Sequence, residues 1–375
     1  SSHAHLCRSH DKAVRANSAK RQHSTAVGVR LKDGIASQDV ECNVGAMRLV
    51  VCIVLLLLAY APREAAAQNF SLPLDCRVGE VCLVQNYVDL DPGPAAQDPM
   101  CGPLSYDGHD GLDIRVPAQL ARAGVGVLAP AAGIVRGVRD GEADGAFLRG
   151  GAVAISGRDC GNGVRIEHAA GWTSQLCHLR QGSVRVHVGD QVRAGQELGL
   201  VGLSGHTQFP HVHLALTHNG EARDPLTGVA LGALACGGEA ATPGAHWSAT
   251  ARVALGYRGA IWFEAGFTGL APAEGANAED LPANATPTAP ALVYWALAMG
   301  PHRGDVLRLR LFEPDGALIS EATRTQPRDQ AQAWVFTGRR MPQSGWHAGQ
   351  YRGEAQLLRG DRVIALHVEM LSLSR

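Results

Sequence analysis

Phe209-Pro210-His211-Val212-His213-Leu214 is the stretch on which the reading of this chain turns: a His-x-His set into an apolar, strand-like run. Side chains alternate along a β-strand, so His211 and His213 share one face while Val212 and Leu214 take the other. Two imidazoles side by side are poor core residues and good metal chemistry. Upstream, His109-Asp110-Gly111-Leu112-Asp113 adds a third imidazole and a carboxylate. Together these residues are expected to form a hydrolytic metal site.

The surroundings of the pair read as β-structure. From Cys76 to about Leu231, short apolar runs alternate with glycine turns. Strands are expected at Val125–Leu128, Gly133–Val138, Val153–Ser156, Val164–His168, Trp172–Leu176, Gln191–Val192, Glu197–Val201 and His211–Thr217, and no segment there shows a helical period. Residues 237–248 read as a linker. A second β-rich region follows, with runs at Val253–Leu255, Ala260–Phe263, Ala291–Leu297, Val306–Glu313, Ala333–Thr337, Gly349–Leu358 and Arg362–Leu371, spaced as in a sandwich. Gly269–Pro290, rich in Ala, Pro and Asn, is expected to be an exposed loop. The fold class is therefore mostly β, with a first sheet domain and a β-sandwich-like C-terminal domain.

With 375 residues the chain has room for two cores, and its 34 Lys and Arg nearly balance 35 Asp and Glu. That balance offers no basic face and argues against a nucleic-acid partner. Residues 1–46 are polar, lack a starting Met and read as an over-extended gene start. Met47-Arg48 then opens the apolar run Leu49 to Ala61, followed by Ala65-Ala66-Ala67. A short basic start, an apolar run and an A-x-A site make 47–67 a secretory signal peptide. The run is shorter than the ~20 residues needed to span a bilayer. The expected protein is exported, to the periplasm or beyond, with no membrane insertion after cleavage.

The expected mature chain carries Cys76, Cys82, Cys101, Cys160, Cys177 and Cys236, an even set that suits disulfides in an oxidising compartment. Cys76–Cys82 and Cys160–Cys177 are the first pairs expected; the set contains no C-x-x-C of the kind that binds zinc.

His109, Asp113 and His213 are the candidate metal ligands, since catalytic zinc takes three protein ligands with nitrogen and carboxylate donors and keeps a position open. Gly108 and Gly111 point to a loop that curls His109 and Asp113 inward. Hydrolysis also needs a proton acceptor and a group to steady an oxyanion. His211 and His178, in Leu176-Cys177-His178-Leu179, remain for that work. His168 is expected at an exposed hairpin position, His206 and Thr207 in a plain turn, and Asp107 and Asp110 as turn formers.

These residues stand in a linked series: His109-x-Gly-x-Asp113, Cys177-His178-Leu179, Gly189-Asp-Gln-Val-Arg-Ala-Gly-Gln-Glu-Leu-Gly199, Val201-Gly-Leu-Ser-Gly205 and Pro210-His-Val-His213. In order, spacing and glycine pattern the series resembles the lysostaphin/LytM-type M23 metallopeptidases over roughly residues 105–220. The resemblance implies a compact, mostly antiparallel sheet of the duplicated-hybrid-motif type carrying a groove. It implies one Zn²⁺ per chain on His109, Asp113 and His213, with His178 and His211 as the catalytic pair. The implied substrates are peptidoglycan peptides, cut as a metalloendopeptidase. Cys177 departs from the Ala that many relatives carry before that histidine. The expected organisation is a segment 68–104 packed on a peptidase domain 105–236, the linker 237–248 and the C-terminal domain 249–375, whose partner the sequence does not name. Two other readings stay open: a catalytically inactive LytM-type binder of peptidoglycan or activator of an amidase, and a carboxypeptidase.

Overall fold

The structure, a computed structural model, describes residues 68–237, 239–273 and 281–374. The expected gene-start segment 1–46 and signal peptide 47–67 lie outside the described residues, as does part of the Gly269–Pro290 loop. Among the described residues no helix is long and apolar enough to cross a membrane.

The first part of the chain runs β1 (Leu83–Asn86), β2 (Leu112–Arg115), α1 (Ala118–Ala123), β3 (Gly126–Leu128), β4 (Gly133–Arg139), α2 (Ala146–Ala154), β5 (Asn162–His168), β6 (Trp172–Leu179), β7 (Gln191–Val192), β8 (Glu197–Leu200), β9 (His211–His218) and β10 (Glu221–Arg223). Eight of these strands form one sheet in the order β1-β2-β9-β6-β5-β4-β7, with β10 on β9, and every pairing in it is antiparallel. β3 and β8 form a separate antiparallel pair.

The inward face of β9 explains why the sheet forms. Val212, Leu214 and Leu216 are at most 2% exposed and join Leu112, Ile114, Val164, Ile166 and Leu176 in one core. Burying each such side chain stabilises the fold by roughly 1.5–3 kcal/mol. Register follows: a one-residue slip of β9 would exchange this apolar set for His211 and His213.

The second part begins with α3 (Ala249–Leu255), then β11 (Ile261–Thr268), β12 (Ala291–Met299), β13 (Val306–Phe312), β14 (Leu318–Thr325), β15 (Gln332–Arg340), β16 (Gly349–Arg359) and β17 (Arg362–Leu373). A three-stranded sheet β11-β12-β15 packs on a four-stranded sheet β14-β13-β16-β17. Leu292, Tyr294 and Ala296 of β12 meet Leu307, Leu309, Tyr351, Ala355 and Leu357 in that interior. All nine residues of β12 are buried, because Trp295 and Leu297 are covered on its other face. A strand covered on both sides reads as a continuous apolar run, as Ala291–Leu297 does.

Three helices correct the sequence reading. Val153 and Ala154, expected in a strand, end α2, and Val253–Leu255 ends α3. At six, nine and seven residues these helices are shorter than the window in which a helical period becomes visible. In α3 the Ser248 side chain accepts the N–H of Ala251, a cap that starts the helix, while Ala251 and Leu255 pack into the first core. The strands β1, β2, β10 and β14 carry no apolar alternation that the sequence reading detected.

Disulfides join Cys76 to Cys82, Cys160 to Cys177 and Cys101 to Cys236. The first two are the expected pairs. The third ties residues 135 positions apart, which no local signal announces.

Candidate metal centre

The site lies on the outward face of the three adjacent strands β2, β9 and β6. Asp113 of β2 stands directly across from His213 of β9, and Cys177 of β6 stands across from it on the other side. Cross-strand partners point the same way, so these three share a face with His211. His109 precedes β2 and reaches the same spot from a turn that Gly108 opens with φ +75°. The expected inward-curling loop thus holds for His109, while Asp113 sits on a strand.

One ligand atom from each of His109, Asp113 and His213 can be chosen so that all lie within 4.8 Å of one another. His109 Nε2 is 3.1 Å from Asp113 Oδ1 and 3.2 Å from His213 Nδ1, and His213 Nδ1 is 2.9 Å from Asp113 Oδ1. The donor chemistry fits zinc, with two imidazole nitrogens, a carboxylate and no thiolate.

The surrounding groups fix each donor. His109 Nδ1 donates to the Tyr87 carbonyl at 2.6 Å, which leaves Nε2 unprotonated toward the cluster. Asn86 Nδ2 donates to Asp113 Oδ2 at 2.9 Å and leaves Oδ1 facing the imidazoles. Asp110 Oδ1 lies 3.4 Å from His213 Nε2, the ring atom remote from the cluster. Gly111 is required by proximity: a Cβ there would lie 2.5 Å from His213 Cε1. Tyr106 stacks on the His109 ring with centroids 4.4 Å apart.

His178 reaches the site by breaking its strand. Val164 faces Leu176, but Asn162 faces Leu179, so β6 carries one extra residue there. His178 itself has φ +66°, a left-handed conformation that costs a non-glycine residue of order 1 kcal/mol or more. Without that irregularity, alternation from Cys177 would send His178 into the core; with it, the ring lies 4.6 Å from His211 and 6.0 Å from His213 between centroids. Its backbone N–H donates to the Cys160 carbonyl at 2.9 Å, and Gly202 N–H donates to its carbonyl at 3.0 Å. His211 Nδ1 lies 2.9 Å from the Phe209 carbonyl and 3.0 Å from Thr207 Oγ1, so its Nε2 points to Asp113, 3.4 Å away.

Electrostatics matches this placement. Burial would raise the Asp113 carboxyl, but His109 and His211 outweigh it and hold it well below the usual carboxylate range. Burial would lower His213, yet Asp110 and Asp113 lift it to about 9; carboxylates that stabilise a proton there also favour a cation. His178 is pushed well below the ordinary imidazole range by burial and by His211 and His213, so its neutral form is favoured at pH 7.

Two depressions flank the cluster. One, of about 290 Å³, is bordered by Asp110, Asp159, Gln175 and His178; the other, of about 620 Å³, by Asn86, Phe209, His211 and residues 328–332. Tyr106 and His206 border both. His206 therefore lines the groove instead of merely turning the chain, and Thr207 positions His211. Asp110 does more than form a turn. His168 is buried, with its ring bonded to the Ala132 carbonyl and to Ser174 Oγ; it is a core histidine and not an exposed hairpin residue. Asn86, Tyr87 and Tyr106 carry no motif that sequence reading could use.

Residues 107–225 match the model described as peptidase family M23. The cell division protein DipM of Caulobacter vibrioides is 31% identical over 119 residues, which cover 31% of this chain and 15% of that protein. The chain thus spans well under two thirds of that relative's length. A zinc-containing peptidase from Vibrio cholerae aligns at 22% identity over 38% of this chain and 39% of its own, with a TM-score of 0.25. The catalytic domain of lysostaphin from Staphylococcus simulans aligns at 23% identity over 37% of this chain and 85% of its own, with a TM-score of 0.26.

Proposed function

We propose, from the match of residues 107–225 to the model of peptidase family M23, that the chain is an exported zinc metalloendopeptidase that cuts peptide bonds of bacterial peptidoglycan. One observation carries the reading: His109, Asp113 and His213 converge at one strand face, and the neighbouring rings of His178 and His211 lie beside them. One zinc ion would be held by His109 Nε2, Asp113 Oδ1 and His213 Nδ1. Bound there, zinc supplies Lewis-acid polarisation of a carbonyl and acidifies water.

The chain's own residues do the rest. A neutral imidazole at His178 accepts a proton through Nε2, because its Nδ1 hydrogen is committed to the Ser204 carbonyl at 2.8 Å. His211, whose Nδ1 hydrogen goes to the Phe209 carbonyl beside Thr207, turns Nε2 to the same face; in its doubly protonated form that atom donates to a developing oxyanion. General acid–base help of this kind contributes about 10²–10⁴-fold. The catalytic unit takes in residues 105–236 together with 68–104, which supplies Asn86 and Tyr87. Three disulfides support an oxidising compartment.

Mass spectrometry of peptidoglycan sacculi digested with the full chain, with and without a chelator, tests the proposal. Cleaved crosslinks that disappear with the chelator support it. Loss of a terminal residue instead indicates a carboxypeptidase, and unchanged sacculi indicate a binder. His213→Ala and Asp113→Ala are expected to lose both zinc and cleavage; zinc content that survives either change removes the assigned ligands.

A further inference from the structure

The larger depression beside the metal cluster is not built from the M23 segment alone. Its far wall is the connection between β14 and β15, which brings residues 328–332 over Asn86 and Phe209. This connection is firmly placed. Gln332 Oε1 accepts from Arg115 Nη1 at 2.6 Å, and the same Nη1 donates to Gln85 Oε1 at 2.5 Å. Arg115 is fully buried, sits two residues after Asp113 on β2, and has its guanidinium 4.3 Å from the Phe209 ring centroid and 4.9 Å from that of Phe263. At the other end, Gln326 N–H donates to the Asp305 carbonyl at 2.8 Å and Gln330 N–H to the Pro301 carbonyl at 3.1 Å. Asp329 Oδ1 accepts from Arg303 N–H at 2.6 Å.

What this wall shows to the groove is polar and specific. Arg328 is exposed and is the only Lys or Arg bordering either depression. Gln330 Oε1 and Asn86 Oδ1 are buried acceptors with no hydrogen-bond partner among the described residues. Asn86 cannot resolve this by flipping, because its Nδ2 is held by Asp113. Buried acceptors left unpaired carry an uncompensated desolvation cost, which an arriving donor relieves. An extended peptide carries such donors in its backbone N–H groups.

We propose that the 326–332 connection is a substrate subsite, with Arg328 receiving a carboxylate of the bound peptide while Gln330 and Asn86 accept from its backbone. The proposal rests on reading the groove as a peptidase site. It assigns the C-terminal sheets a part in substrate selection: they favour peptides with a free carboxylate on the side of the scissile bond that faces β15. The opposite depression, bordered by Asp110 and Asp159, has no Lys or Arg among its described lining residues.

Binding tests this separately from turnover. A fluorescein-labelled stem peptide with free carboxyl groups and the same peptide with its carboxyls converted to methyl amides are titrated into the metal-free full chain and read by anisotropy. Wild type is expected to hold the carboxylate form about five-fold tighter. Arg328→Ala is expected to erase that difference without changing affinity for the amidated form, Arg328→Lys to restore part of it, and Gln330→Ala to weaken both forms alike. Equal binding of the two peptides by wild type, a preference that persists in Arg328→Ala, or no binding of either peptide overturns the subsite. A preference that depends on Arg328 in a protein that leaves sacculi intact would sink the peptidase reading and leave the subsite standing.

Discussion

The carbonyl oxygen of Ser204 accepts the Nδ1 hydrogen of His178 at 2.8 Å, so the bond that orients this imidazole comes from a loop remote in sequence. The approach is so close that residue 161 must be glycine: with φ +59°, a Cβ there would lie 2.4 Å from the Ser204 carbonyl carbon. Ser204 Oγ in turn donates to the Leu179 carbonyl and accepts from Asn162 N–H at 2.9 Å. His178→Gln removes the titrating ring and leaves the three proposed metal donors in place. Zinc bound per chain is expected to stay at one while turnover on sacculi falls about 10²–10⁴-fold. Zinc content by atomic absorption, set beside product formation, reads both quantities.

Asn86 holds Asp113 from outside residues 107–225, the stretch that matches the M23 family model, through Nδ2 to Oδ2 at 2.9 Å. Groups that orient a ligand in this way tune metal affinity by about 10–100-fold. Asn86→Leu keeps the branched shape and deletes the donor, so zinc affinity in a competition titration against a chelating dye is expected to weaken by about that factor. Cleavage at saturating zinc should change far less. An unaltered affinity would show that the Asp113 carboxylate needs no such support.

Most of the metal face is legible in sequence because its logic is local. Period two puts His211 and His213 together, and the strand runs around them define a mostly β fold. His178 is the instructive exception: alternation aims it at the core, and only an extra residue in β6 with a left-handed φ turns it outward. Asn86 and Tyr87 are silent in the sequence because a backbone carbonyl or a side-chain amide leaves no pattern when its partner lies many residues away. The β12 strand is plain in the sequence, being apolar throughout, whereas β14 has no buried residue and nothing in its sequence marks it. The groove wall at 328–332 depends on how the C-terminal sheets pack against β2, information carried by Arg115 and Gln332 jointly and by neither alone.

Asp305 anchors the loop beside that wall. Burial pushes its carboxyl up, but the bidentate Arg359 contacts, both at 2.8 Å, and the His302 N–H outweigh burial and hold it below the usual carboxylate range. A carboxyl whose folded value is depressed contributes stability above its unfolded value, and that contribution is lost as pH falls through the folded one. The full chain is therefore expected to lose thermal stability below roughly pH 4. Arg359→Met is expected to cost about 1 kcal/mol or more near pH 7 and to flatten the acid limb. Thermal unfolding followed by circular dichroism between pH 3 and 7 compares the two slopes.

Gly353 lies in β16 where the two C-terminal sheets meet, and a Cβ there would lie 2.3 Å from Tyr294 Cδ2. Tyr294 is buried on β12, so its ring has no free space to retreat into. Gly353→Ala is expected to destabilise by about 1–3 kcal/mol through overpacking. Tyr294→Leu alone is expected to cost a comparable amount by leaving a void. In the double variant the smaller side chain makes room for the methyl, so the combined loss should fall short of the sum of the two, the signature of residues in contact. Additive losses would mean that the sheets separate locally to admit the methyl group, and the packing between β12 and β16 would then be looser than these distances require.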